Sequence, residues 1–568
     1  MKIKRFISII VLFIIISASF ATINTVGQGP VSNEPTVVIL TSPYSMIYEG
    51  DMINCEMTGN PTEMFWTIND QSKHYTFHNN NPLIFDPEPT PLEDEFVLLT
   101  VHVKNDYGEA NDSIFVKINR IYFGDIHWHT KYSDGKNTLD KMFTNAIGDN
   151  YLDFAACTDH AESIDTPLSQ LIYGVDEFKF LTFLKNKLFR ISEWEKIKEK
   201  TQQYYKPGNF STILGFEYSA CEYYPGGWKI SPNGHEDVSH VNFYYRDVYA
   251  DAPEYGACDK FNYDDIFSAM AEQFDKGNMN FGFPHHPLGK IKFGKNKWAS
   301  FTVNFTFLAR GMEKTDERNK VLRGVEAHSV WGQAFGKYSD IPIYWPYVYR
   351  FDDRVDSWVE NSMWEWSDNH ITDCIFSMVG GSDHHHPDRP AGAQNKDEKP
   401  AGITCVYSVH NKREEIWDAM YDGQMYGSQL LKIRANVKVN DQMAYGKWLD
   451  VEGPAKIQIS AMSTFNGKDS SGKNQNAFGY DNNSLENNIS DIWIVKKDTS
   501  RQRPWCKIVA HYQPDSHYAF VEFEDFDVQP KDFYYVLIHQ KGEARECAGE
   551  TVDDYLAYLG PIFINSVS

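Results

Sequence analysis

Basic residues are scarce in this chain compared with acidic ones. Its 568 residues include 54 Lys and Arg against 78 Asp and Glu, which gives a formal net charge of -24 at pH 7. Proteins that bind nucleic acids need clustered basic side chains to neutralise phosphates, so this balance disfavours a nucleic-acid partner. It does not exclude a phosphorylated small molecule that is held by metal ions.

Cysteine is also infrequent, with 8 residues in the chain and no CxxC pair. A structural zinc site built from cysteines is therefore not expected. Cys157 and Cys405 lie in apolar runs, which predicts that both are buried thiols. Disulfide connectivity cannot be read from sequence. Two pairs are possible, Cys221 with Cys258 or Cys506 with Cys547.

Apolar runs of membrane-spanning length are absent after the first residues. Residues 1–21, MKIKRFISIIVLFIIISASFA, have a basic start, a short apolar run and small residues at Ser19 and Ala21. These are the features of a signal peptide. An uncleaved membrane anchor is the alternative, but the apolar run is short for a span. We therefore predict an exported protein that is secreted, periplasmic or at the cell surface, with no stable membrane span once the signal is removed.

Strand-like runs separated by turn residues dominate both ends of the remaining chain. Residues 22–34 are small and polar and are interpreted as a linker. Residues 35–120 predict an immunoglobulin-like β-sandwich, because short strand-like runs alternate with Pro, Gly, Asn and Asp. Cys55 followed by Trp66 fits that fold, although the second Cys of the pattern is absent. Residues 431–568 return to this pattern and predict a C-terminal β-sandwich.

Residues 121–430 have a different pattern. Apolar strand candidates such as YLDFAACTDH and FSTILGFEYS alternate in places with helical stretches, including residues 193–206 and 263–275. This alternation predicts an α/β domain with a mostly parallel sheet or barrel.

The stretch GDIHWHTKYSDG, residues 124–135, follows a predicted strand. Residues i and i+2 of a strand point to the same side, so His127 and His129 should face one spot. The turn after them could fold Asp134 back towards it. Imidazoles suit zinc, iron and manganese, while carboxylates add charge and can bridge two ions. One HxH is weak evidence, because a surface or core pair of histidines is at least as common.

The same arrangement recurs along the domain. Further His, Asp and Glu residues accompany strand-like runs, namely His160 in ACTDH, Glu217 in LGFEYS, His240 in SHVNFYY, His285 and His286 in GFPHHP, and Asp383 and His385 in GGSDHHH. In an α/β barrel the C-terminal ends of the strands converge on one face. Gathering so many carboxylates and imidazoles there would be costly without cations. The pattern therefore predicts a metal site.

The ordered set GDIHWHTKYSDG, FAACTDH, GFEYS, FPHHP and GSDHHH resembles the polymerase and histidinol phosphatase (PHP) superfamily. More narrowly, GGSDHHHPDRPAG, AGITCVYS and KREEIWDAMYDGQMYGS are similar to its exported branch, the domain of unknown function 3604 (DUF3604). The resemblance covers residues 121 to about 450. It implies a distorted (β/α)7 TIM-like barrel, flanked here by the two β-domains, and two to three divalent ions of zinc, manganese or iron.

Carried onto this chain, the resemblance also implies the metal ligands. One side of the cluster would be held by His127, His129, Glu217 and Asp383, with Glu217 as a bridge. A second ion would be held by Asp134 and His160, and the remaining positions by His240, His285 and His385. His235 competes with His240, and His286 competes with His285.

Two residues besides Glu217 and Asp383 are candidates for a role in catalysis. Arg389, in HPDRP, lies close behind the last ligand pair in sequence. It could orient a phosphate through two hydrogen bonds, or form a structural salt bridge. Glu326, in RGVEAHS, could hydrogen bond to a ligand histidine and so hold its ring, or form a buried pair with Arg323.

Closely spaced divalent ions lower the pKa of a shared water and neutralise charge in the transition state. The resemblance thus implies an exported metal-dependent hydrolase, most readily a phosphoesterase that uses a metal-bound hydroxide on a small-molecule or glycan-linked phosphoester. Two alternatives stay open. One is a metallohydrolase of another ester or amide bond, and the other is an extracellular binding protein with a structural metal site.

Overall fold

The structure is a computed structural model of the chain. Within the residues that it describes, the protein is α/β, and strands far outnumber helices. The described residues are 33–68, 71–73, 83–84, 94–133, 135–148, 152–161, 164, 193–220, 223–224, 227–228, 239–250, 263–285, 288–293, 297–302, 317–330, 332–333, 358–372, 375–385, 401–429, 431–443, 445–463, 488–501, 505–547 and 550–568.

The described N-terminal part of the chain contains strands alone. They are β1 (Thr36–Ile39), β2 (Met46–Tyr48), β3 (Met52–Ile53), β4 (Cys55–Thr58), β5 (Glu63–Ile68), β6 (Gln71–Lys73), β7 (Leu83–Ile84), β8 (Val97–Asn105) and β9 (Gly108–Asp125).

Helices and strands are mixed in the middle of the chain. In chain order they are α1 (Leu139–Ile147), β10 (Phe154–Cys157), α2 (Glu193–Tyr204), β11 (Ser211–Ala220), β12 (Tyr223–Tyr224), β13 (Gly227–Trp228), β14 (Ser239–Tyr245), α3 (Tyr263–Asp275), β15 (Asn280–His285), β16 (Leu288–Phe293), β17 (Lys297–Thr302), a 3-10 helix (Glu317–Lys320), β18 (Gly324–Ser329), β19 (Gly332–Gln333), α4 (Trp358–Asp368), β20 (Ser377–Gly380), β21 (Gly402–Ser408), α5 (Arg413–Tyr421) and β22 (Met425–Gln429).

The described C-terminal residues again form strands. They are β23 (Arg434–Val439), β24 (Trp448–Val451), β25 (Ala455–Met462), β26 (Ile489–Lys497), β27 (Cys506–Tyr512), β28 (Tyr518–Asp525), β29 (Phe533–Cys547) and β30 (Glu550–Val567).

The chain divides into two compact units. The first takes its described residues from 1–43, 53–83 and 98–115, and the second from 44–52, 84–97 and 116–568. In the first unit, β5 pairs antiparallel with β6 and β8, and Trp66 on β5 is fully buried. The domain boundaries at residues 120 and 430 stay predictions.

Local sequence explains where the first helix of the second unit begins and which face it buries. Thr138 lies at the N-cap of α1, where its side chain accepts a hydrogen bond from Lys141 N at 3.3 Å. Asp140 in the first turn complements the helix dipole. The buried residues recur with helical spacing and form one apolar stripe. They are Leu139, Met142, Phe143 and Ala146.

The neighbouring strands β9, β10, β11, β14 and β15 do not all run in the same direction. β9, β10 and β11 pair in parallel, as the sequence predicts. β14 lies antiparallel to both β11 and β15, so the expectation of a mostly parallel sheet is wrong here. The chain passes from β11 to β14 through the β12–β13 hairpin. An antiparallel neighbour needs no helical crossover, which explains the reversal.

The implied (β/α)7 barrel is not formed as a closed ladder among the described residues, which contain five α-helices. β18 pairs in parallel with β20 in a separate sheet. Two isolated parallel bridges, Gly282 with Leu322 and Trp128 with His384, connect segments at β15 and β9 of the first sheet with segments at β18 and β20 of the second. The α/β class is confirmed.

The C-terminal strands continue the ladder that contains β9. β21 pairs antiparallel with β9 and β22, and β22 pairs with β30. From β30 the ladder runs through β29 and β26 to β27, while β23, β25 and β28 form a second sheet. Strands predicted for a separate C-terminal sandwich therefore share a sheet with strands of the α/β region.

Alternate residues of β10 belong to two different apolar clusters, one on each face of the sheet. Phe154 and Ala156 of β10 belong to one cluster, while Ala155 and Cys157 belong to the other. Strands that are buried on both faces in this way are typical of sheets covered on both sides. The first cluster also takes Ile213, Tyr244, Phe281 and Phe283, which puts these residues on one common side of β11, β14 and β15.

The cysteines agree in part with the sequence. Cys157 and Cys405 are buried thiols, as predicted. Cys506 is a third buried thiol, so the possible Cys506–Cys547 pair is wrong. Cys221 and Cys258 lie outside the described residues.

Among the described residues, no helix has both the length and the apolar character needed to cross a membrane.

A buried ion pair in the C-terminal strands gives a test of the fold. Lys496 Nζ lies 2.7 Å from Asp525 Oδ2 and 2.8 Å from Asp532 Oδ2, and all three side chains are buried. Removing Lys496 takes the cation away from two buried carboxylates, which costs about 3 kcal/mol. We expect Lys496→Met to lower the free energy of unfolding by this amount in urea denaturation at pH 7.

The pH dependence of that loss has a defined sign. Burial acts to raise the pKa of Asp525, but hydrogen bonds from Lys496 and Tyr534 outweigh it and hold the pKa below its usual value. The stabilisation is therefore present above the unfolded-state pKa of about 4 and disappears as the pH falls through the folded-state value. The deficit of Lys496→Met should shrink in acid. The control is Lys456→Met, which breaks an exposed pair with Glu522. A deficit that does not change with pH would contradict the assignment.

Candidate metal centre

The predicted ligands lie at the ends of neighbouring strands. His127 and His129 follow β9, His160 follows β10, and Glu217 lies within β11. Glu217 has the same parity as the buried Ile213 on its strand, so it shares the side occupied by that apolar cluster. Because β14 runs backwards, its contribution comes from its beginning. The remaining predicted ligands are His240 near the start of β14, His285 at the end of β15, and Asp383 and His385 after β20.

Glu217 lies at the centre of this group. Its Oε2 is 3.1 Å from His127 Nε2 and 3.0 Å from His129 Nε2. Its other oxygen faces three more imidazoles, with Oε1 at 3.4 Å from His160 Nδ1, at 3.3 Å from His285 Nε2 and in direct contact with His240 Nδ1. The two oxygens of one carboxylate therefore face two different sets of imidazoles.

Asp383, in the segment after β20, approaches the same two histidines. Its Oδ1 is 3.4 Å from His127 Nε2 and 3.2 Å from His129 Nε2. Its backbone has a left-handed φ of 53°, a conformation that Asp tolerates better than most residues. Its N–H donates to the His127 carbonyl at 2.8 Å, which fixes the backbone there. The ring of His385 stacks on that of His129 at 4.3 Å.

Three sets of side chains have ligand atoms that all lie within 4.8 Å of one another. They are His127, His129, Glu217 and Asp383; His160, Glu217 and His240; and His129, His160 and His385. Ligands at 2.0–2.2 Å from an ion lie roughly 3 to 3.5 Å from one another, which matches the nitrogen–oxygen distances around Glu217 and Asp383. A mixed imidazole and carboxylate set suits zinc, manganese or iron. The residues present therefore fit a cluster of divalent ions.

The charges in the group stabilise one another. Burial acts to raise the pKa of Glu217, but neighbouring imidazoles outweigh it and hold the pKa well below its usual value. Burial acts to lower the pKa of His127, but Glu326 and Asp383 raise it well above its usual value. For His129, burial is outweighed chiefly by Glu217, which raises the pKa to about 9. Metal ions that bind here would displace imidazole protons.

Glu326 lies behind His127. Its Oε2 is 2.8 Å from His127 Nδ1, while His127 Nε2 faces Glu217. The Arg323 guanidinium donates to the carbonyls of Asn319 and Leu322. The contact with His127 is what the first interpretation of Glu326, support of a predicted ligand histidine, requires. A carboxylate in this position fixes the tautomer and orientation of the ring.

Replacing Glu326 tests that support. We expect Glu326→Gln to weaken metal binding by about 10- to 100-fold, because a neutral amide accepts from His127 Nδ1–H less strongly than a carboxylate and can also present its NH2 group to the ring. The measurement is a competitive zinc titration against a chromophoric chelator. Glu415→Gln is the matched control, because Glu415 pairs with His410 Nδ1 at 2.9 Å in a carboxylate–histidine contact outside the ligand sets. Equal zinc affinities for the two variants would contradict this role.

Sequence reasoning missed residues that contact the predicted ligands or their backbone without belonging to the three sets. Asp125, two residues before His127, accepts hydrogen bonds from His127 N at 3.1 Å and Ser382 N at 3.0 Å. Burial raises its pKa to about 7. Gly381 lies so close to Glu326 and His127 that a Cβ there would come within 2.4 Å of Glu326 Oε2 and 2.6 Å of His127 Cβ. The Gly pair in GGSDHHH was the available signal.

Several predicted positions lie outside the described residues. Asp134 and Arg389 are among them, and so are the competing ligands His235 and His286. His240, which competes with His235, and His285, which competes with His286, both contact Glu217.

Comparisons with known proteins add little to this geometry. No family model matches the chain, and no curated protein matches it. The chain is similar to a two-domain protein from Bacteroides vulgatus that contains a predicted PHP-like metal-dependent phosphoesterase, with 14% identity over 78% of this chain and 95% of that chain and a TM-score of 0.31. It is also similar to the β-glucuronidase of Parabacteroides merdae, with 9% identity over 91% of this chain and 62% of that chain and a TM-score of 0.16.

Proposed function

We propose that this chain is an exported metal-dependent hydrolase, a phosphoesterase of the PHP superfamily and its DUF3604 branch. The observation that carries the proposal is Glu217, a buried carboxylate whose two oxygens face two sets of imidazoles. A carboxylate in this position is suited to bridging two ions. A single structural ion would need no such bridge.

The proposal includes a distorted seven-stranded barrel. Its order would be β9, β10, β11, β14, β15, β18 and β20. Ladders support the steps from β9 to β15 and from β18 to β20. The bridge between Gly282 and Leu322 supports the step from β15 to β18, and that between Trp128 and His384 supports the return to β9. Such an arrangement brings the ligand-bearing strand ends to one face.

The exposure of the ligands favours a catalytic site over a closed structural one. Glu217 and His129 are almost completely buried, whereas His160, His240 and His385 retain 16%, 15% and 24% exposure of their side chains. A catalytic site keeps an open position, while structural sites are closed by protein ligands. Substrate would therefore approach from the side of His160, His240 and His385.

Residues of this chain would hold the metal ions and orient the substrate phosphate. His127, His129, Glu217 and Asp383 would hold one ion, and His160 and Glu217 would hold the next. Bound divalent ions would lower the pKa of a water and offset charge on the phosphoryl oxygens. Glu326 would keep His127 Nε2 directed at the ions. Asp134 would add a ligand, and Arg389 would orient the phosphate through two hydrogen bonds.

Metal analysis of the full chain tests the proposal. Protein purified without chelator should contain two to three ions of zinc, manganese or iron, measured by elemental mass spectrometry. It should hydrolyse an aryl phosphate monoester or diester, lose that turnover in chelator and regain it with added manganese or zinc. Metal with turnover only of carboxylic esters or amides would replace the phosphoester in the proposal. Failure to bind any of these metals would overturn it.

A further inference from the structure

Asp159 is a buried carboxylate directly before His160 that belongs to none of the three ligand sets. Its oxygens accept hydrogen bonds from Thr130 N at 2.7 Å, from Thr130 Oγ1 at 2.6 Å and from Ser133 Oγ at 2.5 Å. The Cys157 thiol lies 3.1 Å from Asp159 Oδ2. Three of these four donors belong to the turn that follows His129. Asp159 therefore ties that turn to the end of β10.

The backbone of Asp159 extends this connection to a third strand. Its carbonyl accepts a hydrogen bond from Glu217 N at 3.0 Å. His160, the next residue, forms a parallel bridge with Glu217. One residue thus joins the segments that carry His129, His160 and Glu217. Its side chain holds the turn after His129, while its backbone holds the segments of His160 and Glu217.

Ser133 links Asp159 to the ring of His129. The Ser133 hydroxyl lies 2.5 Å from Asp159 Oδ1 and 3.4 Å from His129 Nδ1. A hydroxyl has one proton, and the shorter contact to an acceptor-only carboxylate takes it. The serine oxygen is then left to accept from His129 Nδ1–H. In the neutral imidazole that a metal ion requires, the proton on Nδ1 leaves Nε2 free to bind the ion, and Nε2 is the atom directed at Glu217 and Asp383.

We propose that Asp159 is a positioning residue that acts through Ser133 to fix the tautomer and orientation of His129. This inference rests on the proposed metal function. The arrangement has the same logic as Glu326 behind His127, with a hydroxyl inserted between carboxylate and imidazole. Such partners raise the basicity of a ligand histidine, and their loss lowers metal affinity by about 10- to 100-fold.

Cobalt binding provides a test that does not depend on turnover. Co²⁺ added to metal-free full-length protein should give absorption bands that report the ligand geometry. We expect Ser133→Ala to weaken Co²⁺ binding by about 10- to 100-fold and to alter these bands, with unchanged thermal unfolding of the metal-free protein. Ser133→Thr, which keeps a hydroxyl, should restore both. Ser113→Ala, which removes a hydroxyl bonded to Thr100 in the first unit, is the control.

A double variant distinguishes an effect of Asp159 that acts through Ser133 from two independent losses of structure. If Asp159 acts through Ser133, Ser133→Ala should cause little further loss in an Asp159→Asn background, whereas independent effects would add. Wild-type affinity and bands in Ser133→Ala would overturn the inference while leaving the proposed function intact. A wild-type protein that binds neither cobalt nor zinc would overturn both. If Asp159→Asn does not fold, Ser133→Ala and Ser133→Thr still decide the question.

Discussion

Glu217→Gln is expected to remove at least one bound ion per chain and to lower turnover by on the order of 10³-fold. Glutamine keeps the size of the side chain but replaces one oxygen ligand by an NH2 group and removes the negative charge. Glu217 belongs to two of the three ligand sets, whereas Asp383 belongs to one. The loss of metal should therefore be greater for Glu217→Gln than for Asp383→Asn.

Elemental analysis and aryl phosphate turnover on the same preparations measure both effects. Glu524→Gln on the exposed side of β28 is the matched control and should retain metal and activity. Circular dichroism of each variant establishes that the fold persists. If Glu217→Gln retained the full metal content, or lost no more metal than Asp383→Asn, Glu217 would not be a bridge.

The sequence predicted much of this site because strand geometry is local. The alternation rule placed His127 and His129 together, and both lie within about 3 Å of Glu217 Oε2. The other predicted ligands come from strand ends that the α/β pattern brings to one place. His240 was singled out because it opens the strand-like run SHVNFYY, and the antiparallel β14 does meet the site with its first residues. The lack of a helical stretch between Glu217 and His240 was the available signal for that reversal.

Residues that support the ligands were harder to predict. Asp159 and Asp125 lie one and two residues before a predicted ligand histidine, and nothing in the spacing separates a ligand carboxylate from one that accepts backbone and hydroxyl hydrogen bonds. Gly381 is required by a close approach of Glu326, which is distant in the chain. Such contacts depend on tertiary packing, and hydrophobic periodicity carries no information about them.

Glu49 forms long-range ion pairs that the sequence does not reveal. It lies in the range predicted for the N-terminal sandwich, yet residues 44–52 belong to the second compact unit. Glu49 Oε1 is 2.6 Å from Arg434 Nε, and Oε2 is 4.0 Å from Arg120 Nε. Oε2 also accepts a hydrogen bond from Ile121 N at 2.8 Å.

Glu49→Gln is expected to lower the free energy of unfolding by about 3 to 5 kcal/mol. The glutamine amide can still accept one hydrogen bond, but it removes the negative charge that faces two guanidinium groups. All three side chains are less than 5% exposed, so water cannot replace that charge without opening the structure. Chemical denaturation monitored by tryptophan fluorescence gives the measurement. Glu56→Gln on β4 is exposed and should unfold like the wild type.

A second variant separates the ion pair from the space that Glu49 fills. In Glu49→Leu combined with Arg434→Met, both charges of the 2.6 Å pair are absent, so no uncompensated guanidinium remains at that contact. Replacing a buried pair by apolar side chains is often neutral or stabilising, whereas removing one partner alone is costly. The double variant should therefore be more stable than Glu49→Leu alone. If the two losses simply added, or if Glu49→Gln cost less than about 1 kcal/mol, the pair would contribute no more than a surface salt bridge. The packing of residues 44–52 within the second unit would then depend on the pairing of β2 with β9 and on apolar contacts.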